Sequence, residues 1–197
     1  GGLRIRRFPA KAWLIRAAGK LWLFDTGYSE HFMQATARGL FKIYCWVTPV
    51  RFNPEDSLVN QLAAIKPADV DGIIVSHFHG DHIAALKDFD CPAVCSSGSW
   101  QAVRELRGFS ALRKAFLPQL IPDNFESKLR FMEDMPQIIL PPELSPFSTA
   151  YELPDCGGEV FLLPLPGHAA GHTWAFVHTT DGWVLLAADA AWSARSY

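Results

Sequence analysis

The chain has 197 residues, a formal net charge of −2, and 49% hydrophobic against 19% charged residues. This length and composition are typical of one globular domain with a substantial core. The sequence contains no lysine- and arginine-rich block of the kind that binds nucleic acid. It also contains no run of 18 apolar residues that could cross a membrane. We therefore expect a single domain over 1–197 that binds neither nucleic acid nor membrane.

The four cysteines are Cys45, Cys91, Cys95 and Cys156. So few cysteines, without the spacing of a disulfide framework, favour a reducing compartment and predict a cytoplasmic protein. Cys91 and Cys95 could form half of a zinc site, but no second pair stands where such a site needs it. We interpret them as small buried thiols on a strand. The first residues lack the apolar stretch and cleavage site of a signal peptide, although no Met begins the chain.

The first third of the chain predicts strands and one helix. Residues 4–8 are interpreted as one face of a first strand, and 12–24 as two strands around a turn at Ala18-Gly19-Lys20. Residues 54–65 have Pro and acidic residues at their start and Leu58, Leu62 and Ile65 on one face, which predicts a helix. The apolar run 70–76 predicts a buried strand that ends just before three histidines.

The remaining pattern predicts helices followed by strands. A short helix is expected from residue 83 to 86, a strand at 93–95, and a helix capped by Ser97 or Ser99 that runs through Leu106. Residues 108–155 are interpreted as an irregular or helical insertion that covers the site. Strands are expected at 159–163, 173–178 and 183–188, the last two joined by a turn at 180–182. This order indicates an α/β sandwich rather than a doubly wound sheet.

The segment His77-Phe78-His79-Gly80-Asp81-His82 holds three of the seven histidines. In extended chain His77 and His79 project to the same side, where neutral imidazoles can hold one metal ion. Gly80 lets the chain tighten, so that Asp81 and His82 can reach a second point. Two ions so placed act on both sides of a nucleophilic attack. Nitrogen and carboxylate ligands suit zinc, with manganese or iron as alternatives.

Further ligands must come from elsewhere in the chain. The sequence Pro-Gly-His-Ala-Ala-Gly-His at 166–172 follows a predicted strand and offers His168 and His172. Asp189 follows the apolar run of the last predicted strand. An acidic residue at such a strand end is either a cap or a ligand.

These motifs together resemble the metallo-β-lactamase superfamily. Asp25-Thr26-Gly27 is similar to its first motif, residues 77–82 to its His-x-His-x-Asp-His signature, residues 166–172 to its third motif, and Ala187-Ala188-Asp189 to its fourth. The resemblance covers the order and spacing over most of the chain. It implies an αββα four-layer sandwich with the metal ions in a cleft at one edge of the sheets.

The resemblance also implies roles for single residues. His77, His79 and His168 would bind a first metal ion, Asp81 and His82 a second, and Asp189 would bridge the two. Asp25 would orient the metal loop without binding, and His172 would stabilise its own loop. His31 and His178 match no motif, and we interpret them as structural.

The family usually places one more histidine on the second metal ion, after another strand and helix. Here the chain ends at Tyr197, eight residues after Asp189. We therefore expect a domain that lacks its C-terminal part. Its second ion, held only by Asp81, His82 and Asp189, would then be weakly bound or missing.

The implied activity is that of a metallo-hydrolase with two zinc ions per chain. A metal-bound hydroxide would attack the substrate, and Asp81 could pass a proton to the leaving group. We expect a small-molecule substrate: an ester, a lactone or a thioester. The alternatives are a mononuclear iron sulfur dioxygenase and a non-catalytic metal-binding relative.

Substrate choice rests on weaker signals. Asp189 fits the lactonase, glyoxalase-II and phosphodiesterase branches better than true β-lactamases, but Trp192 stands where lactonases and esterases often carry a phenol. Apolar residues between the second and third motifs could wall a pocket for an acyl group, or could equally form the core or the contact of a homodimer. They include Phe109, Phe116, Leu117, Phe125, Phe131, Met132, Phe147 and Tyr151, joined by Phe41, Tyr44 and Trp46.

Overall fold

The computed structural model describes residues 8–62 and 64–190. Most of the first predicted strand, residues 4–7, and Trp192 lie outside these ranges, so those two expectations stay predictions. Within the described ranges the chain forms two five-stranded sheets with helices between and around their strands. Of these helices, none combines the length and hydrophobicity that crossing a lipid bilayer requires.

The first sheet has the order β1-β2-β3-β4-β5. Its strands are β1 (Trp13–Ala17), β2 (Lys20–Phe24), β3 (Gly72–Ile74), β4 (Ala93–Cys95) and β5 (Leu129–Phe131). The hairpin from β1 to β2 is confirmed, and its two turn residues Ala18 and Gly19 both have positive φ, as a tight two-residue hairpin needs. Strands β2 to β5 run parallel, so their carboxyl ends share one edge.

The second sheet has the order β10-β9-β8-β7-β6 and is antiparallel throughout. Its strands are β6 (Gln137–Ile139), β7 (Thr149–Glu152), β8 (Val160–Pro164), β9 (Thr173–Thr179) and β10 (Gly182–Leu186). The three C-terminal strands are therefore confirmed. Because β8 and β10 both pair with β9, they run in the same direction and end at the same edge.

Seven short α-helices complete the described ranges. They are α1 (Glu30–Thr36), α2 (Lys42–Val47), α3 (Leu58–Gln61), α4 (Gly80–Ile83), α5 (Ser97–Val103), α6 (Gly108–Arg113) and α7 (Phe125–Lys128). The helix predicted over 54–65 is instead a 3-10 turn, Pro54–Asp56, followed by α3. The helix predicted from residue 83 already begins at Gly80, inside the histidine motif.

Helix α5 differs from its prediction at both ends. Its cap is Ser96, whose hydroxyl accepts a hydrogen bond from the Gly98 amide at 3.2 Å, whereas Ser97 and Ser99 lie within the helix. Its last residue is Val103 rather than Leu106. A serine just before the first turn can satisfy a free amide, and the sequence offers three serines within four positions.

The segment 108–155 contributes to both sheets. It holds β5 at the edge of the first sheet and β6 and β7 in the second, besides α6 and α7. The interpretation of this segment as irregular or helical did not predict these three strands. Runs of three or four residues are too short to show an alternating pattern in the sequence.

Three apolar clusters hold the layers together. Alternation along β2 places Leu23 against the helices, beside Phe32 of α1, and Trp22 and Phe24 between the sheets. Leu162 of β8 enters the same space from the second sheet. A third cluster on the outer face of the second sheet includes residues of β8 and β9 and of the segment 140–147. The predicted layered α/β sandwich is thus confirmed, with its sheet ends gathered at one edge.

Candidate metal centre

The histidine motif begins at His77, and two residues separate it from the end of a buried strand. Strand β3 ends at Ile74, and the backbone of His79 is extended, with φ −71° and ψ 153°, just before α4 begins at Gly80. Phe78 points the other way and packs on the rings of Trp100 and Phe125 at centroid distances of 5.3 and 6.1 Å. His77 and His79 therefore share one side, and their rings lie 4.4 Å apart.

Asp25 holds this motif from the end of the neighbouring strand β2. One carboxylate oxygen accepts a hydrogen bond from the Ser76 amide at 2.8 Å. The other lies 2.7 Å from both the Ser76 hydroxyl and Nδ1 of His82. Asp25 is fully buried and has a positive φ of 60°, which a non-glycine residue rarely adopts. Its contacts fix the orientation of His82, so that Nε2 of that ring faces the site.

A first group of donors consists of His77, His79, His168 and Asp189, whose ligand atoms all lie within 4.8 Å of one another. His77 and His79 come from the first sheet. His168 lies in the loop after β8, and Asp189 in the 3-10 turn Ala188–Ala190 after β10. Nε2 of His168 is 3.1 Å from Nδ1 of His79 and 3.4 Å from Oδ2 of Asp189.

A second group consists of Asp81, His82 and Asp189, again within 4.8 Å. Nε2 of His82 lies 3.5 Å from Oδ2 of Asp81 and 3.3 Å from Oδ1 of Asp189. Asp189 is thus common to both groups, with one oxygen toward each. All six residues that the sequence predicts as metal ligands lie in these two groups.

The donor set fits divalent metal ions. Nε2 of His77 is buried and has no hydrogen-bond partner among the described residues. A buried nitrogen without a partner costs free energy, and binding a metal ion would remove that cost. Imidazole nitrogens and carboxylate oxygens are the ligands that zinc and similar ions prefer.

Burial keeps several of these imidazoles neutral. It lowers the pKa of His77 well below its ordinary value, with the neighbouring His82 as the next cause. Burial and then His168 lower the pKa of His79 to about 4. A neutral imidazole has a free lone pair, so both rings are ready to bind metal at neutral pH.

The carboxyl groups of the site and the His82 imidazole shift each other's pKa values. Burial raises the pKa of Asp81. Burial alone would also raise that of Asp189, but the close approach of His82 outweighs it and lowers the pKa. Burial disfavours the charged form of His82, yet Asp25 and Asp189 together raise its pKa well above the ordinary value. The charges of Asp25 and Asp189 therefore set the protonation of His82 in this site.

His172 lies closer to the centre than the sequence indicated. Its ring is buried and packs on that of His77 at 5.0 Å, and burial lowers its pKa to about 4. Within its own loop its amide donates to the Ala169 carbonyl at 3.3 Å, and its carbonyl accepts from the Leu165 amide at 2.8 Å. The only sign of this contact in the sequence is that the 166–172 motif contains a second histidine.

The two histidines interpreted as structural lie apart from both donor groups. Nε2 of His31 on α1 pairs with Asp88 at 2.8 Å. The ring of His178 on β9 packs against Trp183 of β10 at 4.7 Å. Neither residue belongs to a donor group among the described residues.

A cavity of about 480 Å³ opens beside the second donor group. It is lined by Asp81, His82 and Asp189 and by residues that include Phe8, Lys11, Trp13, Tyr28 and Leu185. The aromatic residues expected as a pocket wall do not line it. Phe116, Leu117, Phe125 and Met132 are core residues instead, and Trp46 and Phe109 are exposed on the surface. The cavity wall comes instead from residues 8–11, Trp13, Tyr28, Thr48 and the end of β10, which are far apart in sequence and share no local pattern.

The chain is similar to known proteins over most of its described length. A family model described as "Metallo-beta-lactamase superfamily" matches residues 5–94. A probable metallo-hydrolase of Mycobacterium tuberculosis is 26% identical over 190 residues, covering 90% of this chain and 55% of that protein. The chain thus spans about half the length of this curated relative.

Solved structures share the fold. An N-acyl homoserine lactone hydrolase with the product N-hexanoyl-L-homoserine bound at its catalytic metal center has a TM-score of 0.65 and 22% identity, covering 93% of this chain and 64% of that one. A dizinc quorum-quenching lactonase has a TM-score of 0.53 and 18% identity, covering 87% of this chain and 53% of that one. The family match over residues 5–94, the curated relative and the shared fold thus show that the chain is similar to proteins of the metallo-beta-lactamase superfamily.

Proposed function

We propose that the two donor groups form the metal centre of a hydrolase that cleaves a small ester, lactone or thioester. The observation that carries this proposal is the pair of overlapping groups that share Asp189. Its Oδ1 lies 3.3 Å from Nε2 of His82 and its Oδ2 lies 3.4 Å from Nε2 of His168. A carboxylate with one oxygen toward each group is arranged to bridge two ions.

The comparisons support a metal-dependent hydrolase as the type of protein. The curated relative is described as a probable metallo-hydrolase, and the two solved structures are lactone hydrolases, one of them dizinc. The donor chemistry favours zinc, with two ions per chain, although manganese or iron ions accept the same ligands. His77, His79, His168 and Asp189 would hold one ion, and Asp81, His82 and Asp189 the other.

Bound divalent ions supply Lewis-acid chemistry, which makes water nucleophilic at neutral pH and polarises a carbonyl oxygen. The residues of the chain position the groups that would hold these ions. Asp25 and Ser76 fix the imidazole of His82, and burial keeps His77 and His79 neutral. In the reaction a bond forms between the water oxygen and the carbonyl carbon. The bond from that carbon to the leaving oxygen or sulfur then breaks.

The leaving atom needs a proton to become an alcohol or a thiol. We assign both halves of that transfer to Asp81, whose carboxylate takes the proton that the attacking water gives up and passes it to the leaving atom. Asp81 lines the cavity beside the donor groups and is partly exposed there. The products are then one carboxylic acid and one alcohol or thiol. Phe8, Trp13 and Leu185 give the same cavity an apolar wall, which suits an aliphatic or aromatic acyl group.

The first test is metal content and hydrolysis of the purified protein. We expect about two zinc ions per chain by mass spectrometry after reconstitution, and turnover of N-hexanoyl homoserine lactone, p-nitrophenyl esters or an acyl thioester. His77→Ala should lose both metal and turnover. His31→Ala is the matched control, because His31 pairs with Asp88 away from both donor groups, and it should keep both.

Two outcomes would overturn the proposal. One is turnover that His77→Ala retains at the wild-type rate. The other is a single iron ion per chain with consumption of oxygen in the presence of a persulfide, because that result would assign the site to a sulfur dioxygenase.

A further inference from the structure

The cavity beside the metal centre contains a phenol for which the proposed reaction has so far no use. Tyr28 lines this cavity together with Asp81, His82 and Asp189. It follows Asp25-Thr26-Gly27 directly, so it leaves the first sheet at the same edge as the residues that hold the histidine motif. Gly27 has a positive φ of 67°, which turns the chain just before Tyr28.

The backbone on both sides of Tyr28 is tied to the metal loop. The amide and the hydroxyl of Thr26 both donate to the His82 carbonyl, at 2.8 and 3.0 Å. The hydroxyl of Ser29 donates to the Ala84 carbonyl at 2.6 Å. Tyr28 is therefore placed relative to the donor residues by hydrogen bonds of Thr26, two residues before it, and of Ser29, one residue after it.

The ring of Tyr28 is fixed by packing. Its edge contacts Phe32 with ring centroids 4.7 Å apart and an interplanar angle of 68°. Phe32 is fully buried and is held in turn by Tyr44, at 5.3 Å and 82°. A ring clamped in this way keeps its hydroxyl in one place without a further loss of side-chain entropy when a ligand binds.

The hydroxyl of Tyr28 makes no hydrogen bond to another residue in the part of the chain that the structure describes, whereas the charges of Asp81 and Asp189 both act on it. A half-buried hydroxyl next to a reaction centre and without a protein partner has its O–H available to a ligand. The oxygen that gains negative charge in acyl transfer is stabilised best by such a donor, already in position before the reaction.

We propose that Tyr28 is a catalytic residue, whose O–H donates a hydrogen bond to the carbonyl oxygen of the substrate while that oxygen gains charge. This inference rests on the proposed hydrolase function. It selects substrates with a carbonyl carbon at the reaction centre, as in esters, lactones and thioesters. No proton leaves Tyr28, because the oxygen takes back its electron pair when the leaving group departs.

The test is Tyr28→Phe in the zinc-loaded protein, assayed on p-nitrophenyl esters and N-hexanoyl homoserine lactone. We expect kcat to fall by about 10²–10³-fold, as for the loss of one oxyanion donor, with KM changed far less. Zinc per chain and melting temperature should stay as in the wild type, since the ring and its contact with Phe32 remain. Tyr151→Phe is the matched control and should keep the wild-type kcat, because Tyr151 lies on β7 within the intersheet cluster.

A second readout needs no turnover. A trifluoromethyl ketone with an alkyl chain forms a hydrate whose oxygens resemble those of the attacked carbonyl, and its Kd can be measured by calorimetry. We expect Tyr28→Phe to weaken its binding at least about tenfold, the effect of one lost hydrogen bond to a charged group.

The outcomes separate the two proposals. If His77→Ala abolishes hydrolysis while Tyr28→Phe keeps kcat within twofold and binds the ketone as the wild type does, the role of Tyr28 is wrong and the hydrolase stands. If the zinc-loaded wild type hydrolyses none of the substrates and binds no ketone, the hydrolase is rejected and Tyr28 with it. A fall in kcat that comes with a loss of zinc would assign Tyr28 a structural role and overturn its catalytic one.

Discussion

At the scale of single residues, the site depends on how Asp25 is held. It is fully buried, has a positive φ, and interacts with three groups: the amide and hydroxyl of Ser76 and the ring of His82. A carboxylate that orients a histidine in this way fixes which ring nitrogen faces the metal and makes the ligand more basic. The strained backbone and the buried charge are both costs that the fold accepts at this position.

Asp25→Asn keeps the size of the side chain and removes its charge. We expect its affinity for zinc to fall by about 10–100-fold, because His82 is no longer held with Nε2 toward the site. A competition titration with a chromophoric chelator measures this affinity. Asp88→Asn is the matched control, since Asp88 pairs with His31 at 2.8 Å outside the donor groups. Equal zinc affinities in the two variants would contradict the orienting role of Asp25.

At the scale of elements, the loop that carries His168 is fixed by its close packing on helix α5. Gly171 has a positive φ of 61°, and a Cβ there would lie 2.3 Å from the Ser99 amide nitrogen and 2.9 Å from the Gly98 carbonyl carbon. The loop between β8 and β9 thus rests directly on the backbone of the first turn of α5. Only glycine permits this approach, and it sets how far His168 reaches into the site.

Gly171→Ala should therefore displace the loop. We expect a loss of about 1–3 kcal/mol of stability from the clash, added to about 1–2 kcal/mol for the left-handed backbone. Gly39→Ala separates these effects, because Gly39 has a similar φ of 65° with nothing within 4 Å of its Cβ. Urea unfolding gives both stabilities, and zinc per chain should fall only in Gly171→Ala. If the two variants unfold alike, the packing of the loop on α5 does not position His168.

At the scale of the whole molecule, the metal centre joins the two sheets. His77 and His79 follow a strand of the first sheet, whereas His168 and Asp189 follow strands of the second. The donors come from positions up to 112 residues apart in sequence, from 77 to 189, and meet only in the folded chain. An ion bound by them would bind the folded state and not the unfolded one, which couples metal binding to stability.

Removal of metal should consequently lower the melting temperature. With zinc at 100 times its Kd we expect about 2.7 kcal/mol of added stability over the chelated protein, from mass action alone. Differential scanning calorimetry with and without a chelator measures the difference. His77→Ala should melt at one temperature in both conditions, whereas a wild type insensitive to chelator would show that no ion links the sheets.

The chemistry of the site could be predicted from the sequence, because donor residues at short spacing report on their own local geometry. No knowledge of the fold was needed to see that His77 and His79 alternate and that Asp81 and His82 are adjacent. The same holds for the polar residues that follow apolar strands. The longer strands β1, β2, β8, β9 and β10 were predictable for the same reason, since each shows its pattern within five to seven residues.

Only the tertiary structure decided what lies around these donors. Strands β5, β6 and β7 have three or four residues, and pairing with neighbours rather than local pattern makes them strands. Three features depend on residues that are far apart in sequence. They are the contact of His172 with His77, the approach of Gly171 to α5, and the place of Tyr28 in the cavity. The sequence by itself therefore determined which groups can bind metal, whereas packing between the sheets and the loops decided which groups meet a substrate.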